Sequence, residues 1–478
     1  MAVLSHLEPK KVFKFFEDIC GVPHGSGNIW HISNYCADFA KQRGLEYIQD
    51  KMGNVIIFAP AAPGYEAADT VIIQGHMDMV CVKTADCQLD MTRDGLELAV
   101  EGDSVFAKNT SLGADNGIAV AMGLALLDSP ELPRPALEVL LTVDEETGLF
   151  GAAGVDMTPM KGKKLINLDS EDEGVFTVSC AGGMRVSCNI PVEKEDNTLP
   201  AYSVTVTGLL GGHSGIEINK GRGNANKLMG RVLSCIAEQT GIRLVSLAGG
   251  TAGNVIAKEC RAVVCAADAA AVKAAAAQIE AQLRDEFAET DAGVCVVVEQ
   301  TERTAQALTA ADTAKVISVL MQMPQGVQAM SKSIEGLVQT SLNLGKLNLK
   351  DELVLDFSVR SSVSAEKKQT FQRLADITVA NGGSYSTDGD YPAWEYREDS
   401  PLRDLMIKVF EEQYGKKPVV TALHAGLECG LFSGKRPELD CMSIGPDLVA
   451  VHSVEEKLSV ASTARVWKFL LEVLKRSK

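Results

Sequence analysis

The chain has 478 residues, a net charge of −17, and is 46% hydrophobic and 23% charged. Single cores stop growing near about 250–300 residues, so more than one domain is expected. The acidic balance excludes attraction to nucleic acid and to anionic membrane surfaces, and no apolar run reaches the roughly 18 residues of a membrane span.

The first residues lack a basic segment followed by an apolar one, so they do not read as a signal peptide. Twelve Cys are scattered with no Cys-x-x-Cys pair. Together these features predict free thiols and a cytoplasmic protein.

Residues 8–20 place apolar side chains at helical spacing, with Pro9 suited to a first turn, and residues 28–43 predict a second helix. A strand is expected over 54–58, then a loop at Pro60, Pro63 and Gly64. The strand 71–75 ends at His76, with Asp78 just beyond it. The Gly-containing segment 111–117 presents Asp115 at the start of an apolar helix, Ile118 to Leu127, which Pro130, Pro133 and Pro135 end. Strand 137–143 runs into Asp144, Glu145 and Glu146, and strand 164–168 runs into Asp169. Alternating strands and helices through about residue 187 predict a parallel sheet covered by helices, an α/β architecture.

The pattern then changes. Strand candidates at 201–207, 259–265, 293–298 and 353–359 alternate with Ala-rich helices at 268–288 and 364–379, and none ends in a cluster of acids. These predict a separate α+β domain of about two strand-helix-strand rounds, an arrangement expected of an internal duplication. A helix at 400–414, a strand at 418–421 and a helix at 460–476 are assigned back to the first domain. The expected limits are 1–187 and 389–478 for the first domain and 188–388 for the insertion.

The chemistry lies at strand ends, where open α/β sheets collect ligands. His76 and Asp78 are two apart, so on a strand they point to one side. A neutral imidazole suits zinc, and a carboxylate beside it can ligate or orient it. A His-x-Asp pair alone is more often a buried His with a carboxylate partner. Asp115 alone could cap a helix, Asp169 could close a turn, and Glu145 and Glu146 could be a solvated loop end. His452, after the Gly/Pro turn of Ser443–Asp447, could be an ordinary loop His or a second imidazole. Jointly the segments argue for a metal site. Asp115, Glu146, Asp169 and a hydroxide carry four negative charges, which two divalent cations balance in a low-dielectric site. Glu145, not needed as a ligand, is then available as general base.

Four ordered motifs, Gly75-His76-Met77-Asp78, Leu112-Gly113-Ala114-Asp115-Asn116-Gly117, Asp144-Glu145-Glu146-Thr147-Gly148 and Asn167-Leu168-Asp169-Ser170, resemble those of the metal-dependent family of aminoacylases, carboxypeptidases and dipeptidases. The resemblance covers essentially the whole chain and is strongest to the dipeptidase branch that acts on aminoacyl-histidines. It implies that His76, Asp115 and Asp169 hold one zinc and that Asp115, Glu146 and His452 hold another, with manganese or cobalt as substitutes. It implies that Asp78 orients His76, that Glu145 moves the proton, and that the inserted domain is a lid. In the segment Gly211-Gly212-His213-Ser214, His213 is similar to the family's oxyanion-stabilising His. Asn254 and Arg360 resemble positions that bind the substrate's terminal carboxylate, a task suited to the planar guanidinium. His424 and Glu428, in His424-Ala425-Gly426-Leu427-Glu428, resemble residues lining the pocket.

The reaction expected is hydrolysis of dipeptides, Xaa-His and broader, with a short peptide as the partner and a homodimer as the candidate assembly. An N-acyl-amino-acid deacylase or a short-peptide aminopeptidase on the same site stays open, because the site cleaves amides generically. So does a non-catalytic peptide-binding protein, which would not require Glu145.

Overall fold

The computed structural model describes residues 2–478. The chain forms two units. The first comprises residues up to Ser179 with Tyr396–Ala422 and Leu427–Lys478, and the second Cys180–Glu395 with Leu423–Gly426. The expected limits at 187/188 and 388/389 fall inside the strands Gly182–Pro191 and Ser384–Tyr391, which pair with each other. Both strands belong whole to the second unit, so its ends lie outside them.

In the first unit, an eight-stranded sheet runs in the order Glu46–Gln49, Val55–Ala59, Leu137–Thr142, Val71–His76, Lys164–Asn167, Asp440–Ser443, Val175–Cys180, Val419–Leu423. The four central strands are mutually parallel, with His76 opposite Thr142, Gln74 opposite Asn167, and Ser443 opposite Asn167. Every residue of Val71–His76 and of Leu137–Thr142 is buried. That is why both read as mostly apolar runs, interrupted by Gln74 and Glu138, since a parallel sheet is covered on both faces.

The covering helices follow their apolar spacing. Lys10–Cys20 buries Val12, Phe13, Phe15, Phe16 and Ile19 on one stripe. Ala114–Leu127 is apolar nearly all round and is buried nearly all round. The helix Val460–Arg476 starts at Ser459, whose Oγ accepts the Ser462 N–H, and ends on Lys475 and Arg476, which favour its negative end. Phe176, Phe410 and Phe469 pack edge to face or tilted with centroids 5.4–5.8 Å apart, joining that helix to the helix Pro401–Tyr414 and the sheet.

The second unit confirms the α+β insertion. Its antiparallel sheet runs in the order Cys295–Thr301, Ala201–Thr207, Cys260–Ala266, Ile242–Gly249, Val338–Leu349, Glu352–Ser361, Gly182–Pro191, Ser384–Tyr391. Each half has the same chain order: strand, helix, two strands, helix, strand. In one half these are Ala201–Thr207, Ala225–Gln239, Ile242–Gly249, Cys260–Ala266, Ala269–Glu286 and Cys295–Thr301. In the other they are Gly182–Pro191, Ala310–Gln322, Val338–Leu349, Glu352–Ser361, Ser364–Ala380 and Ser384–Tyr391. Numbering strands within each half, both stack as 4-1-3-2, and the halves join where Leu247 pairs with Leu349. The second half is interrupted after its first strand by the whole of the first half. The two rounds expected from sequence are thus one topology used twice. The helices Ala225–Gln239 and Ala310–Gln322 were not among the expected elements. They pack closely enough that a Cβ on Gly230 would come within 2.8 Å of Leu320.

Candidate metal centre

Parallel register puts the carboxyl ends of the Val71–His76, Leu137–Thr142 and Lys164–Asn167 strands side by side. His76 ends the first, and its side chain is buried. Its Nδ1 lies 3.0 Å from the backbone oxygen of Asp78, which can only accept, so Nδ1 carries the proton and the Nε2 lone pair faces outward. Nε2 is 3.1 Å from Asp115 Oδ1 and 3.4 Å from Asp169 Oδ1. From the opposite side, His452 Nε2 is 3.2 Å from Asp115 Oδ2 and 2.9 Å from Glu146 Oε1. Asp115 therefore turns one oxygen to each imidazole. Ligand atoms of His76, Asp115 and Glu146 all lie within 4.8 Å of one another.

Local sequence sets these positions. The helix of Asp115 begins after Gly113, whose φ is +68° and where an added Cβ would come within 2.6 Å of Met79 Sδ. Asp115 itself is off-helix at φ −81°, ψ 102°. Its neighbour Asn116 accepts the His76 N–H at 3.1 Å and donates to the Leu168 oxygen at 2.7 Å, tying two strand ends to one loop. The Asp78 carboxylate, fully buried, accepts the N–H of Glu145 at 3.0 Å and of Glu146 at 3.4 Å, and the Ser26 hydroxyl at 2.8 Å. Its Oδ1 is 3.6 Å from His76 Nδ1. The main-chain oxygen of Asp78 thus orients His76, while its carboxylate holds the turn that carries both glutamates. Losing that acceptor would leave buried N–H groups unpaired, at about 1–3 kcal/mol each.

No Lys or Arg makes an ion pair with Glu145, Glu146, Asp115 or Asp169 among the described residues. The result is a buried excess of negative charge. Burial, then the neighbouring carboxylates acting against His76, pushes Glu145 well above the usual carboxylate range. Burial also lifts Asp169 to about 6. Hydrogen bonds to Asp115 and Glu146 push His452 up to about 10. For His76, burial opposes protonation, but Asp169 and the bonds to Asp115, Asp169 and Asp78 outweigh it and raise the imidazole. Three carboxylates and two imidazoles that share so little positive charge fit divalent cations of the zinc, manganese or cobalt type.

Glu428 opens the helix Glu428–Lys435. It has no exposed surface, and its Oε2 accepts from Gln74 Nε2 at 2.5 Å and Thr142 Oγ1 at 2.9 Å. Its Oε1 is buried without a partner, and burial lifts its carboxyl to about 7.

The remaining expected residues lie in the second unit. His213 pairs with Val255 across a two-residue ladder, and the Ser214 N–H donates to the Asn254 oxygen, so His213 and Asn254 are neighbours. His213 Nδ1 accepts from the N–H of Gly215 and Ile216, at 3.2 and 3.3 Å, which leaves the proton on Nε2. Burial and then the Arg360 charge lower its pKa, keeping it neutral. Arg360 donates from Nη1 to Tyr391 Oη at 3.2 Å, while its Nε is buried without a partner. His424 Nε2 is 2.7 Å from Ser341 Oγ, and burial followed by Arg360 lowers it to about 4.

Ser26, Gln74, Asn116 and Glu456 were not foreseen. Asn116 stood beside Asp115 in the motif, and Glu456 stands four residues after His452. Those spacings were the available signals. Ser26 and Gln74 had none, because their roles depend on chain crossings.

A family model described as a peptidase dimerisation domain matches residues 204–291. The chain is 36% identical over 482 residues to the cytosol non-specific dipeptidase of Escherichia coli (strain K12), covering 99% of both. It is similar to the crystal structure of aminoacylhistidine dipeptidase from Vibrio alginolyticus, with a TM-score of 0.94, 35% identity, and 99% of this chain and 97% of that chain covered. The aminopeptidase PepT structure from Bacillus cereus ATCC 10987 shares the fold, with a TM-score of 0.57 at 14% identity over 98% of this chain and 99% of that one.

Ligation requires both imidazoles neutral at the facing nitrogen, yet their acidic neighbours hold protons on them. Zinc affinity should therefore rise with pH from about 6 to about 10, where Asp169 and then His452 lose their protons, with protons released on uptake. Calorimetry in buffers of different ionisation heat reads both. An affinity flat across that range would contradict the arrangement.

Proposed function

We propose that this chain, which belongs to the cytosol non-specific dipeptidase family, hydrolyses dipeptides in a metal-dependent reaction at the His76–Asp115–Glu146 centre. The observation that carries the reading is Asp115, with one carboxylate oxygen facing His76 and the other facing His452. His76, Asp115 and Asp169 would hold one zinc, and Asp115, Glu146 and His452 a second. Cations bound there would supply an acidic water and an electrophile for the scissile carbonyl.

Glu145 takes the proton from the attacking water and passes it to the leaving amine. Its carboxyl, raised by burial and by neighbouring carboxylates, is the stronger base that this step needs. Asp78 keeps Glu145 aimed by holding its N–H. His213, with its proton on Nε2, donates to the developing oxyanion. Arg360, whose guanidinium makes no ion pair among the described residues, grips the substrate carboxylate, with Asn254 as a second donor. His424 lies in the same electrostatic neighbourhood as Arg360 and supports that grip. No helix among the described residues is long and apolar enough to cross a membrane. The cytoplasm is the proposed location, and Xaa-His dipeptides are the proposed preferred substrates.

Glu145→Gln should lower kcat by at least about 100-fold while metal content per chain stays unchanged. Turnover at the parental rate would remove Glu145 from the mechanism. A panel of dipeptides, tripeptides and N-acetyl amino acids should show preference for dipeptides. Faster cleavage of the acetylated set would point to a deacylase.

Arg360→Ala should raise KM for dipeptides by about 10–100-fold, as expected for loss of a charge-assisted pair. The defect should shrink for substrates amidated at the C-terminus. Equal defects on both substrate sets would rule out the carboxylate role.

The match of residues 204–291 to a peptidase dimerisation domain supports a homodimer. Sedimentation equilibrium should give twice the chain mass, and a monomer at micromolar concentration would be evidence against it.

A further inference from the structure

One buried acid of the first unit has no part in the reaction described above. Glu456 is 2% exposed and sits at the base of the loop between the strands Leu448–Val449 and Lys457–Ser459. His452 lies in the same loop. The Glu456 carboxylate accepts four consecutive main-chain N–H groups. Oε2 takes those of Leu112 at 2.8 Å and Gly113 at 3.0 Å, and Oε1 takes those of Ala114 at 2.9 Å and Asp115 at 3.3 Å. These are the free amides at the start of the helix Ala114–Leu127. Its N-cap residue, Gly113, has no side chain to satisfy them. A residue more than 300 positions away does so instead.

The loop that presents His452 is itself braced. Ser453 Oγ donates to the Ala450 oxygen at 2.7 Å and accepts the Glu455 N–H at 3.1 Å. Ala450 and His452 hold left-handed backbone angles, φ +53° and +61°, which non-glycine residues adopt only when their surroundings impose them. One carboxylate thus fastens the segment carrying Asp115 to the segment carrying His452, where Asp115 Oδ2 and His452 Nε2 stand 3.2 Å apart.

We infer that Glu456 is a positioning residue of the metal centre, setting the spacing between Asp115 and His452 by holding the Leu112–Asp115 amides. The inference rests on the metal-dependent reading proposed above. Outer partners of this kind commonly change metal affinity about 10–100-fold when removed.

The test uses the full-length protein stripped with a chelator and titrated with zinc, and, in parallel, the visible spectrum of its cobalt-loaded form. Glu456→Gln keeps the size of the side chain but turns an amide NH2 toward main-chain donors. It should weaken zinc binding about 10–100-fold and alter the cobalt spectrum, while circular dichroism stays parental. Glu456→Asp keeps the charge but cannot span all four amides, and should lose less. Glu455→Gln, at the exposed neighbour, should change neither readout. Parental zinc affinity and cobalt spectrum in whichever of the Gln and Asp variants folds would overturn the positioning role alone. A parental chain that takes up neither metal would overturn the metal-dependent reading and this inference together.

Discussion

A strand that runs parallel to its neighbour in register must also stop beside it. His76 stands opposite Thr142, and Gln74 opposite Asn167, so whatever follows each strand emerges along one edge. After Thr142 come Glu145 and Glu146, after Asn167 comes Asp169, and Asn116 binds the Asp115 loop to His76 and to Leu168. Residues far apart in sequence meet because the register allows no other outcome. A one-residue slip would turn each strand over and take its terminal side chain away from the cluster.

That geometry carries an electrostatic cost, and the surrounding residues show how it is met. Negative groups crowd a poorly solvated edge, and among the described residues two imidazoles are their ion-pair partners. Main-chain amides do part of the work that cations do elsewhere: Glu145 and Glu146 donate to Asp78, and four amides donate to Glu456. Behind the strands, Gln74 and Thr142 do the same for Glu428. The carboxylates at the edge face one another and the imidazoles, whereas Asp78, Glu456 and one oxygen of Glu428 are held by dipoles. The division separates reactive acids from structural ones more clearly than residue type does.

Much of this was legible in the chain. Buried parallel strands announce themselves as mostly apolar runs, and a run that ends in His or acid marks where a ligand can gather. Val71–His76 and Leu137–Thr142 are of that kind. The insertion was visible because its strands alternate and end without acids, yet its doubled topology was not, since two halves can share a chain path without sharing side chains. The burial of Glu428 was hidden, because a glutamate after a Gly-rich turn looks the same whether it faces solvent or core. That choice is made by Gln74 and Thr142, residues with no motif around them. Glu456 stood close to His452 in sequence, but its role could not be read, because its partners are backbone amides, which leave no trace in sequence.

The interrupted topology of the second unit also has a temporal side. Gly182–Pro191 cannot find its neighbour Glu352–Ser361 until a complete strand-helix array has been synthesised between them. The first unit waits longer still, since Asp440–Ser443, which closes the centre of its sheet, follows the whole second unit in sequence. Unpaired edges on a nascent polypeptide invite intermolecular pairing, so such nesting favours early shielding on the ribosome.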